Sequence, residues 1–366
     1  MSKNIKYNFL TTDEKERYQK HLTLKEIGYE GQLSLKNSSV LCIGAGGLGS
    51  SVLLYLAAAG IGKIGIVDND YVEKSNLQRQ IIHETNTIGS LKIDSAQERI
   101  KKFNPNSELL TFAERINPKN ALEIIQKFDI ICDCSDNFGT RYLINDACLI
   151  LNKPLVFGSV QGFEGQVSVF NLNKTSPNLR DLLPESPSKN TVPSCAEYGV
   201  VGVSTGLIGI IQVNEIIKII LKKGEVLDGK IMVFDLLNMN TKKLHLKSDQ
   251  VNKQINNLSK FMDYYSDDEC STQTGTINRI NACDFNSLYK IKPNKILLID
   301  VRENEEFSAS AIDGSISLPL SHLNQKPDLE FIQKESLIKE VFTICKTGKR
   351  SEKASRILSK FKIQSR

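Results

Sequence analysis

The feature that most constrains the fold is a run of glycines between two apolar segments. Residues 44–49 read GAGGLG; they follow the apolar run Ser39–Ile43 and precede an apolar, helix-like stretch that ends at Ala59. Ile64–Val67 then makes a second short apolar run, which ends at Asp68. Strand, glycine turn, helix and strand form a βαβ unit, the building block of a parallel sheet covered by helices. The predicted fold class is therefore α/β.

The glycine run is also a candidate phosphate site. Glycines permit a tight turn and let backbone N–H groups at the positive end of the helix reach a phosphate. Asp68 lies about 20 residues further on, where a carboxylate can accept hydrogen bonds from a ribose hydroxyl. These residues predict a nucleotide but leave ATP, NAD and FAD open, and a glycine turn without any ligand is the alternative.

Two cations and one carboxylate favour chemistry at the phosphates of ATP. Arg79 can hold phosphate oxygens with its planar guanidinium, and Lys92 provides a point charge. Asp136 follows an apolar strand, where a carboxylate can bind Mg²⁺, which keeps most of its water and bridges phosphates. An enzyme that cleaves ATP at the α-phosphate needs these charges as pyrophosphate leaves, whereas a dehydrogenase does not. Each residue alone could also be a surface charge.

Five motifs in this order resemble the ubiquitin-activating-enzyme superfamily, and most closely its molybdopterin-synthase and thiamine-pathway adenylyltransferases. They are GAGGLG at 44–49, DND at 68–70, SNLQRQ at 75–80, GSLK at 89–92 and DCSDN at 133–137. The resemblance covers roughly residues 10–245. It implies a Rossmann-like ATP-binding adenylation domain, a homodimer, and a groove for the Gly-Gly tail of a ubiquitin-like sulfur-carrier protein.

The same resemblance implies the residues around ATP and Mg²⁺. Arg79, Lys92 and Asp136 would act in catalysis, with Asp136 on the metal. The residues placed around the nucleotide are Gly47, Asp68, Ser75, Asn76, Leu77, Gln78, Arg79, Gln80, Lys92, Asp136 and Asn137.

Two departures from the family pattern lead to further expectations. Where the family has a second Arg that reaches the partner subunit's ATP, this chain has Lys20, which keeps the charge but loses the bidentate fork. Many relatives bind zinc through two CxxC pairs, but the corresponding stretches here read PNLRD at 177–181 and KSDQ at 247–250. Because tetrahedral zinc needs four sulfur or imidazole ligands, no zinc site is predicted.

Two of the eight cysteines are candidates for chemistry. Cys195 lies in a polar loop, where the resemblance implies a cysteine that in some members bonds covalently to the activated carrier; an inert loop cysteine is the alternative. Cys345 opens the sequence CKTGKRS between an apolar strand and a helix. Helix amides and nearby cations lower the pKa of such a thiol and favour a persulfide. The remaining cysteines, which form no CxxC pair, indicate reduced thiols.

The C-terminal part resembles a rhodanese-like domain. CKTGKRS matches the pattern C-x-x-G-x-R-S, and DVRENEEF at 300–307 and DGSI at 313–316 resemble other rhodanese landmarks. Rhodanese domains normally continue beyond the helix that follows this loop, so a truncated domain is expected. The predicted organisation is an adenylyltransferase domain at 1–246, a polar linker at 247–276 and a smaller α/β rhodanese-like domain at 277–366.

The predicted reaction joins a carrier carboxylate to ATP, giving a carrier acyl-adenylate and pyrophosphate, after which Cys345 delivers persulfide sulfur. The predicted carrier is the small subunit of molybdopterin synthase. A thiamine-pathway or tRNA-thiolation carrier is an alternative. A NAD-dependent dehydrogenase and a catalytically silent platform for a ubiquitin-like protein are alternatives from other classes.

Charge and hydropathy limit the other partners. A net charge of +5 spread along the chain argues against nucleic-acid binding. The most apolar stretch is interrupted by polar residues, so no membrane span is expected. Abundant Lys, Asn and Ile, with no hydrophobic signal core at the N-terminus, predict the plastid stroma for a plastid-encoded chain and the bacterial cytoplasm otherwise.

Overall fold

A computed structural model of the chain describes residues 7–184, 199–261, 265, 280–323, 326–346, 348–361 and 363–365. The chain divides into two compact units, Met1–Cys270 and Ser271–Arg366. Each unit has its own sheet and its own hydrophobic core.

The large unit alternates strands and helices along most of its length. Its strands are β1 (Ser39–Ile43), β2 (Lys63–Val67), β3 (Glu108–Phe112), β4 (Ile130–Asp133), β5 (Leu155–Gln161), β6 (Glu164–Phe170), β7 (Lys230–Asp235) and β8 (Asn240–His245). Its described α-helices are α1 (Thr12–Arg17), α2 (Gln19–Leu22), α3 (Gly28–Lys36), α4 (Gly47–Ala59), α5 (Lys92–Phe103), α6 (Ala121–Ile125), α7 (Phe138–Leu151), α8 (Leu179–Leu182) and α9 (Gly202–Leu221).

The strands form one eight-stranded sheet in the order β3-β2-β1-β4-β5-β6-β7-β8. The pairs from β3 to β5 are parallel, and those from β5 to β8 are antiparallel. The strand order reverses between β1 and β4, and ligands of such sheets bind outside the carboxyl ends of the strands at this point. The predicted α/β class is confirmed, and the predicted glycine turn lies at the reversal.

Two strands of the large sheet, β3 and β8, were not predicted from the sequence, and they lie at its two ends. β3 is only partly buried, and every residue of β8 is exposed. β8 reads NTKKLH and lacks the apolar run or the alternating pattern that marks a strand in a sequence, whereas β3 reads ELLTF and carries a short apolar run.

The long helix α9 packs against the sheet and contributes to the core of the large unit. By length and composition it could cross a membrane, alone among the helices of the described residues. In the structure it packs on α4, β5 and β6. The approach to α4 is close, because a Cβ on Gly209 would lie 2.1 Å from the Ser51 Oγ. This is the packing of a core helix.

The first part of the predicted linker contacts the large unit. Leu258 and Tyr265 are buried in the cluster of apolar side chains beneath α7, and Ile255 is also buried. These apolar residues are few and lie among Asn, Asp and Ser, so the composition of the segment predicted a linker and did not indicate that it packs on the large unit. The domain boundaries at 246 and 277 stay predictions.

The small unit is a three-stranded parallel sheet with helices. Its strands are β9 (Ile296–Asp300), β10 (Ile316–Ser317) and β11 (Glu340–Ile344), in the order β10-β9-β11. Its described α-helices are α10 (Ala282–Ile291), α11 (Asn304–Ala309), α12 (Lys326–Glu335) and α13 (Lys349–Lys360). Leu337 lies in an exposed turn after α12. Beyond α13, Ser365 makes a parallel bridge to Val341 of β11, and Ile363 is buried.

Candidate active site

The glycine loop, residues 44–47, joins the end of β1 to the start of α4. Gly44 has a φ of +103°, and a Cβ there would lie 2.7 Å from the Cys134 carbonyl oxygen. A Cβ on Gly49 would lie 2.0 Å from the Gly44 carbonyl oxygen. Both positions therefore require glycine. The first N–H groups of α4 have no acceptor within the helix, and such groups bind phosphate.

Asp68 holds this loop from the end of β2. Its Oδ2 accepts a hydrogen bond from the Ala45 N–H at 2.8 Å, and its Oδ1 accepts one from the Asp70 N–H at 2.8 Å. The carboxylate thus lies beside the glycine loop. Each oxygen can accept a second hydrogen bond, so a ribose hydroxyl can still be bound.

The Arg79 loop, residues 74–83, carries the SNLQRQ motif. Asn76 and Gln80 are buried, whereas Ser75 and Gln78 are exposed and Leu77 and Arg79 are half-buried. The Arg79 Nη1 donates to the Ser75 carbonyl at 3.0 Å. The guanidinium is therefore held close to its own loop and keeps further donors for phosphate oxygens.

The first turn of α9 connects the two loops. A Cβ on Gly202 would lie 2.4 Å from the Gln78 carbonyl oxygen and 3.1 Å from the Arg79 Cα. A Cβ on Gly47 would lie 3.0 Å from the Thr205 Cγ2. The start of α9 therefore packs directly on the backbone of both loops.

Lys92 and Asp136 reach the same edge from two other helices. Lys92 begins α5 and is buried, and its Nζ donates to the Asp70 Oδ2 at 2.9 Å. Asp136 is exposed at the start of α7. Next to it, the Asn137 Oδ1 accepts from the Thr140 N–H at 2.8 Å and caps the helix. One carboxylate suits a Mg²⁺ ion whose other ligands are phosphates and water. Among the described residues, no cluster of three or more metal-ligating side chains occurs.

Sequence analysis assigned no role to a buried carboxyl group, Asp133, that supports the turn carrying Asp136. Asp133 ends β4 with no exposed surface, and its Oδ1 accepts from the Ser135 N–H at 2.9 Å and from the Ser135 Oγ at 2.6 Å. The Arg141 Nη2 donates to the Ser135 carbonyl at 3.0 Å. Burial raises the pKa of Asp133, and the Arg141 charge opposes that rise. These bonds fix the turn that carries Asp136; the sequence signal was the first Asp of DCSDN.

Lys20 lies apart from these loops. It is exposed on α2, two residues after Tyr18. The Tyr18 side chain packs against Gly60, where an added Cβ would lie 2.7 Å from the Tyr18 hydroxyl. Gly60 is the C-cap of α4, a helix of 13 residues. Such a helix is about 20 Å long, and the glycine loop is at its other end. The structure therefore places Lys20 near the far end of α4 and does not bring it to the phosphate loop of its own chain.

The two stretches that replace CxxC pairs are joined by polar contacts. The Asp181 Oδ1 accepts from the Asp249 N–H at 2.8 Å and from the Asn252 Nδ2 at 2.9 Å. Deeper in the unit, Asp146 accepts from the Arg180 Nη2 and from the Tyr265 hydroxyl, both at 2.7 Å. Burial and the neighbouring Asp146 raise the pKa of Tyr265. This network ties 178–181, 249–252 and Tyr265 to α7. Cys195, a predicted site residue, is outside the described residues.

The thiol loop, residues 345–351, joins β11 to α13 in the small unit. Cys345 is half-buried, and its Sγ accepts from the Ser351 N–H at 3.3 Å. Gly348, with a φ of +83°, is the N-cap of α13. The sulfur therefore faces the positive end of a helix, which favours a thiolate or a persulfide anion.

The predicted cations of the thiol loop differ in their placement. The Arg350 Nη1 and Nη2 donate to the Glu306 Oε2 and Oε1 at 2.5 and 2.8 Å. This ion pair lowers the pKa of Glu306 to about 2. Lys346 is exposed. Arg350 thus holds the thiol loop against α11, and its charge adds to the positive field of the helix amides at the sulfur.

Comparisons with known proteins agree with this division of sites. The ThiF family matches residues 18–255, and the rhodanese-like domain matches residues 286–365. "Probable adenylyltransferase/sulfurtransferase MoeZ" of Mycobacterium tuberculosis is 40% identical over 94% of this chain and 88% of its own length. "Adenylyltransferase and sulfurtransferase MOCS3" of Aedes aegypti is 38% identical over 96% and 83%. "Probable molybdopterin-synthase adenylyltransferase" of Porphyra purpurea is 40% identical over 96% and 90%.

Solved structures support the fold of the large unit. Escherichia coli MccB, in complex with a MccA peptide variant, matches with a TM-score of 0.59 at 21% identity over 69% of this chain and 76% of that one. PaaA matches with a TM-score of 0.58 at 22% identity over 68% and 78%. With relatives of 38–40% identity along nearly its whole length, the chain belongs to the ThiF family of adenylyltransferases, in the branch that carries a C-terminal rhodanese-like domain.

Proposed function

We propose that the chain adenylylates the C-terminal glycine of a ubiquitin-like sulfur-carrier protein, and that the carrier is the small subunit of molybdopterin synthase. The supporting observation is that the glycine loop, the Arg79 loop and the turn before Asp136 lie together at the carboxyl ends of β1, β2 and β4. The name of the Porphyra purpurea relative supports the choice of carrier. Carriers of thiamine synthesis and tRNA thiolation use the same chemistry and are the alternatives.

The phosphates of ATP would lie on the glycine loop. The first N–H groups of α4 would donate to them, and Asp68, beside the glycine loop, would accept hydrogen bonds from the ribose. Mg²⁺, when bound through Asp136, would neutralise charge on the phosphates. Adenylyl transfer uses all of these groups, whereas a nicotinamide-dependent dehydrogenase would use only the glycine loop and Asp68.

The reacting carboxylate needs no general base, because it is already an anion. One of its oxygens forms a bond to the α-phosphorus, and pyrophosphate leaves with the electrons of the broken bond. Arg79 and Lys92 are each held by an oxygen acceptor of the protein, at 3.0 and 2.9 Å. Cations that are already positioned stabilise the charge that develops on the leaving group.

The sulfur step belongs to the small unit. A persulfide on Cys345 would attack the carbonyl carbon of the carrier acyl-adenylate, and AMP would leave. A second thiol would then attack the Cys345 sulfur of the resulting acyl disulfide, which releases the carrier thiocarboxylate and leaves a disulfide on Cys345. The Ser351 N–H, at 3.3 Å from the Cys345 Sγ, supports an anion at this position. Cys195 would at most hold the activated carrier as a covalent intermediate.

A homodimer would complete the nucleotide site. Lys20 lies near the end of α4 that is remote from the glycine loop, so it can meet a phosphate only in another copy of the chain. This placement supports the family expectation that a cation at this position reaches the partner subunit's ATP.

Carrier-dependent exchange of pyrophosphate into ATP tests the proposal. The full chain is assayed with a panel of ubiquitin-like carriers from the molybdopterin, thiamine and tRNA-thiolation pathways. We expect exchange with the molybdopterin-synthase small subunit and none with a carrier that lacks its terminal glycine. Exchange with a different carrier would reassign the pathway. Absence of exchange with every carrier would refute the adenylyltransferase reaction.

A further inference from the structure

His83 ends the Arg79 loop and is buried against the glycine loop. Its Nε2 lies 3.0 Å from the Ala45 carbonyl oxygen, and its Nδ1 lies 3.0 Å from the Ser95 Oγ. Only 5% of its surface is exposed. We propose that His83 is a positioning residue for nucleotide binding, because its imidazole holds the Ala45 carbonyl and thereby orients the amides of the glycine loop. This inference rests on the proposed ATP-dependent function.

The hydrogen bonds determine which nitrogen of His83 carries the proton. A carbonyl oxygen can only accept, so the Nε2 must be the donor to Ala45. Burial lowers the pKa of His83, and the charge of Lys92 adds to this effect. In the neutral ring the Nδ1 carries no proton, and it lies 3.0 Å from the Ser95 Oγ, which also contacts the Thr87 Oγ1 at 3.0 Å. His83 therefore links the glycine loop to α5, the helix that begins with Lys92.

Ala45 is held on both sides of its backbone. Its N–H donates to the Asp68 Oδ2 at 2.8 Å, and its carbonyl accepts from His83. Because the peptide bond is planar and trans, a fixed Ala45 carbonyl directs the Gly46 N–H to the opposite side, away from the buried imidazole. Glycine has no side chain to restrict its backbone. Contacts from outside the loop must therefore set the direction of these amides.

Three substitutions separate positioning from simple packing. His83→Gln keeps a donor near the Nε2 position, His83→Asn keeps one near the Nδ1 position only, and His83→Leu removes both at similar volume. The readouts are the Kd of a non-hydrolysable ATP analogue by calorimetry and the melting temperature, both on the full chain with Mg²⁺. We expect His83→Leu and His83→Asn to bind the analogue about tenfold more weakly, the scale of one lost hydrogen bond.

His83→Gln should restore the affinity to within about threefold of wild type, even where its melting temperature stays as low as that of His83→Asn. Equal affinity of the Gln and Asn variants would overturn the proposal, as would an unchanged Kd in His83→Leu. If His83→Leu does not fold, the Gln and Asn pair decides alone. A wild-type chain that binds the analogue but exchanges pyrophosphate with no carrier contradicts the proposed function and leaves this test intact. A wild type that does not bind it overturns both.

Discussion

Gly202 offers a direct test of how α9 controls the Arg79 loop. In Gly202→Ala the new Cβ would lie 2.4 Å from the Gln78 carbonyl oxygen and 3.1 Å from the Arg79 Cα. Carbon and oxygen atoms normally stay about 3.3 Å apart or more. The backbone of the Arg79 loop or the start of α9 must therefore move by about 0.9 Å.

This displacement is large enough to affect catalysis. A misplacement of about 1 Å can lower a rate about 10²-fold. We therefore expect Gly202→Ala to lower the rate of carrier-dependent pyrophosphate exchange about 10- to 100-fold. The Kd for ATP should change less than the rate, because the new Cβ contacts the Arg79 loop and not the glycine loop.

Gly206→Ala is the matched control. It adds the same methyl group one turn later in α9, where nothing lies within 4 Å of the new Cβ. Its exchange rate should equal that of the wild type, and its melting temperature should rise, since alanine stabilises a helix interior by up to about 1 kcal/mol relative to glycine. Full activity of Gly202→Ala would show that Arg79 is not positioned by this contact.

Four further predictions concern the remaining groups. Asp136→Ala should abolish pyrophosphate exchange with the fold intact, and Arg79→Ala should lower it about 10²-fold or more; near-normal exchange by both would refute the site. Cys345→Ala should keep carrier adenylylation and lose thiocarboxylate formation from thiosulfate, whereas Cys195→Ala should lower the sulfur step only if the carrier is held covalently. Equal thiocarboxylate yield from Cys345→Ala and wild type would make Cys345 structural. Elemental analysis should find no stoichiometric zinc, and about one zinc per chain would contradict this. Because the pKa of Glu306 is lowered to about 2 from 4.5, its ion pair should stabilise the fold above about pH 4.5 and lose this effect towards pH 2. Glu306→Gln should show a smaller acid dependence of unfolding in that range, and an unchanged dependence would count against the pair.

Some of the site could be predicted because its signals are local. The glycine run between one strand and one helix predicts the phosphate loop from residues that are adjacent in the sequence. Gly44 adopts a positive φ, which glycine tolerates better than other residues. In the same way, the thiol loop is a strand followed directly by a helix N-terminus, so the position of Cys345 was readable from seven consecutive residues. The exposed edge strand β8 was missed because its residues carry no apolar pattern.

By itself the sequence determined the βαβ unit, the order of the motifs and the loops that carry Asp68, Arg79, Asp136 and Cys345, because turn geometry and hydrophobic periodicity act over a few residues. Only the tertiary structure decided what holds those loops. The Ala45 carbonyl accepts a hydrogen bond from His83, which is 38 residues away in the sequence. The Gln212 side chain donates to the Asp133 carbonyl across 79 residues, and the Tyr265 hydroxyl donates to Asp146 across 119 residues. These hydrogen bonds form because the tertiary fold brings distant segments together, so they cannot be predicted from a short stretch of the sequence.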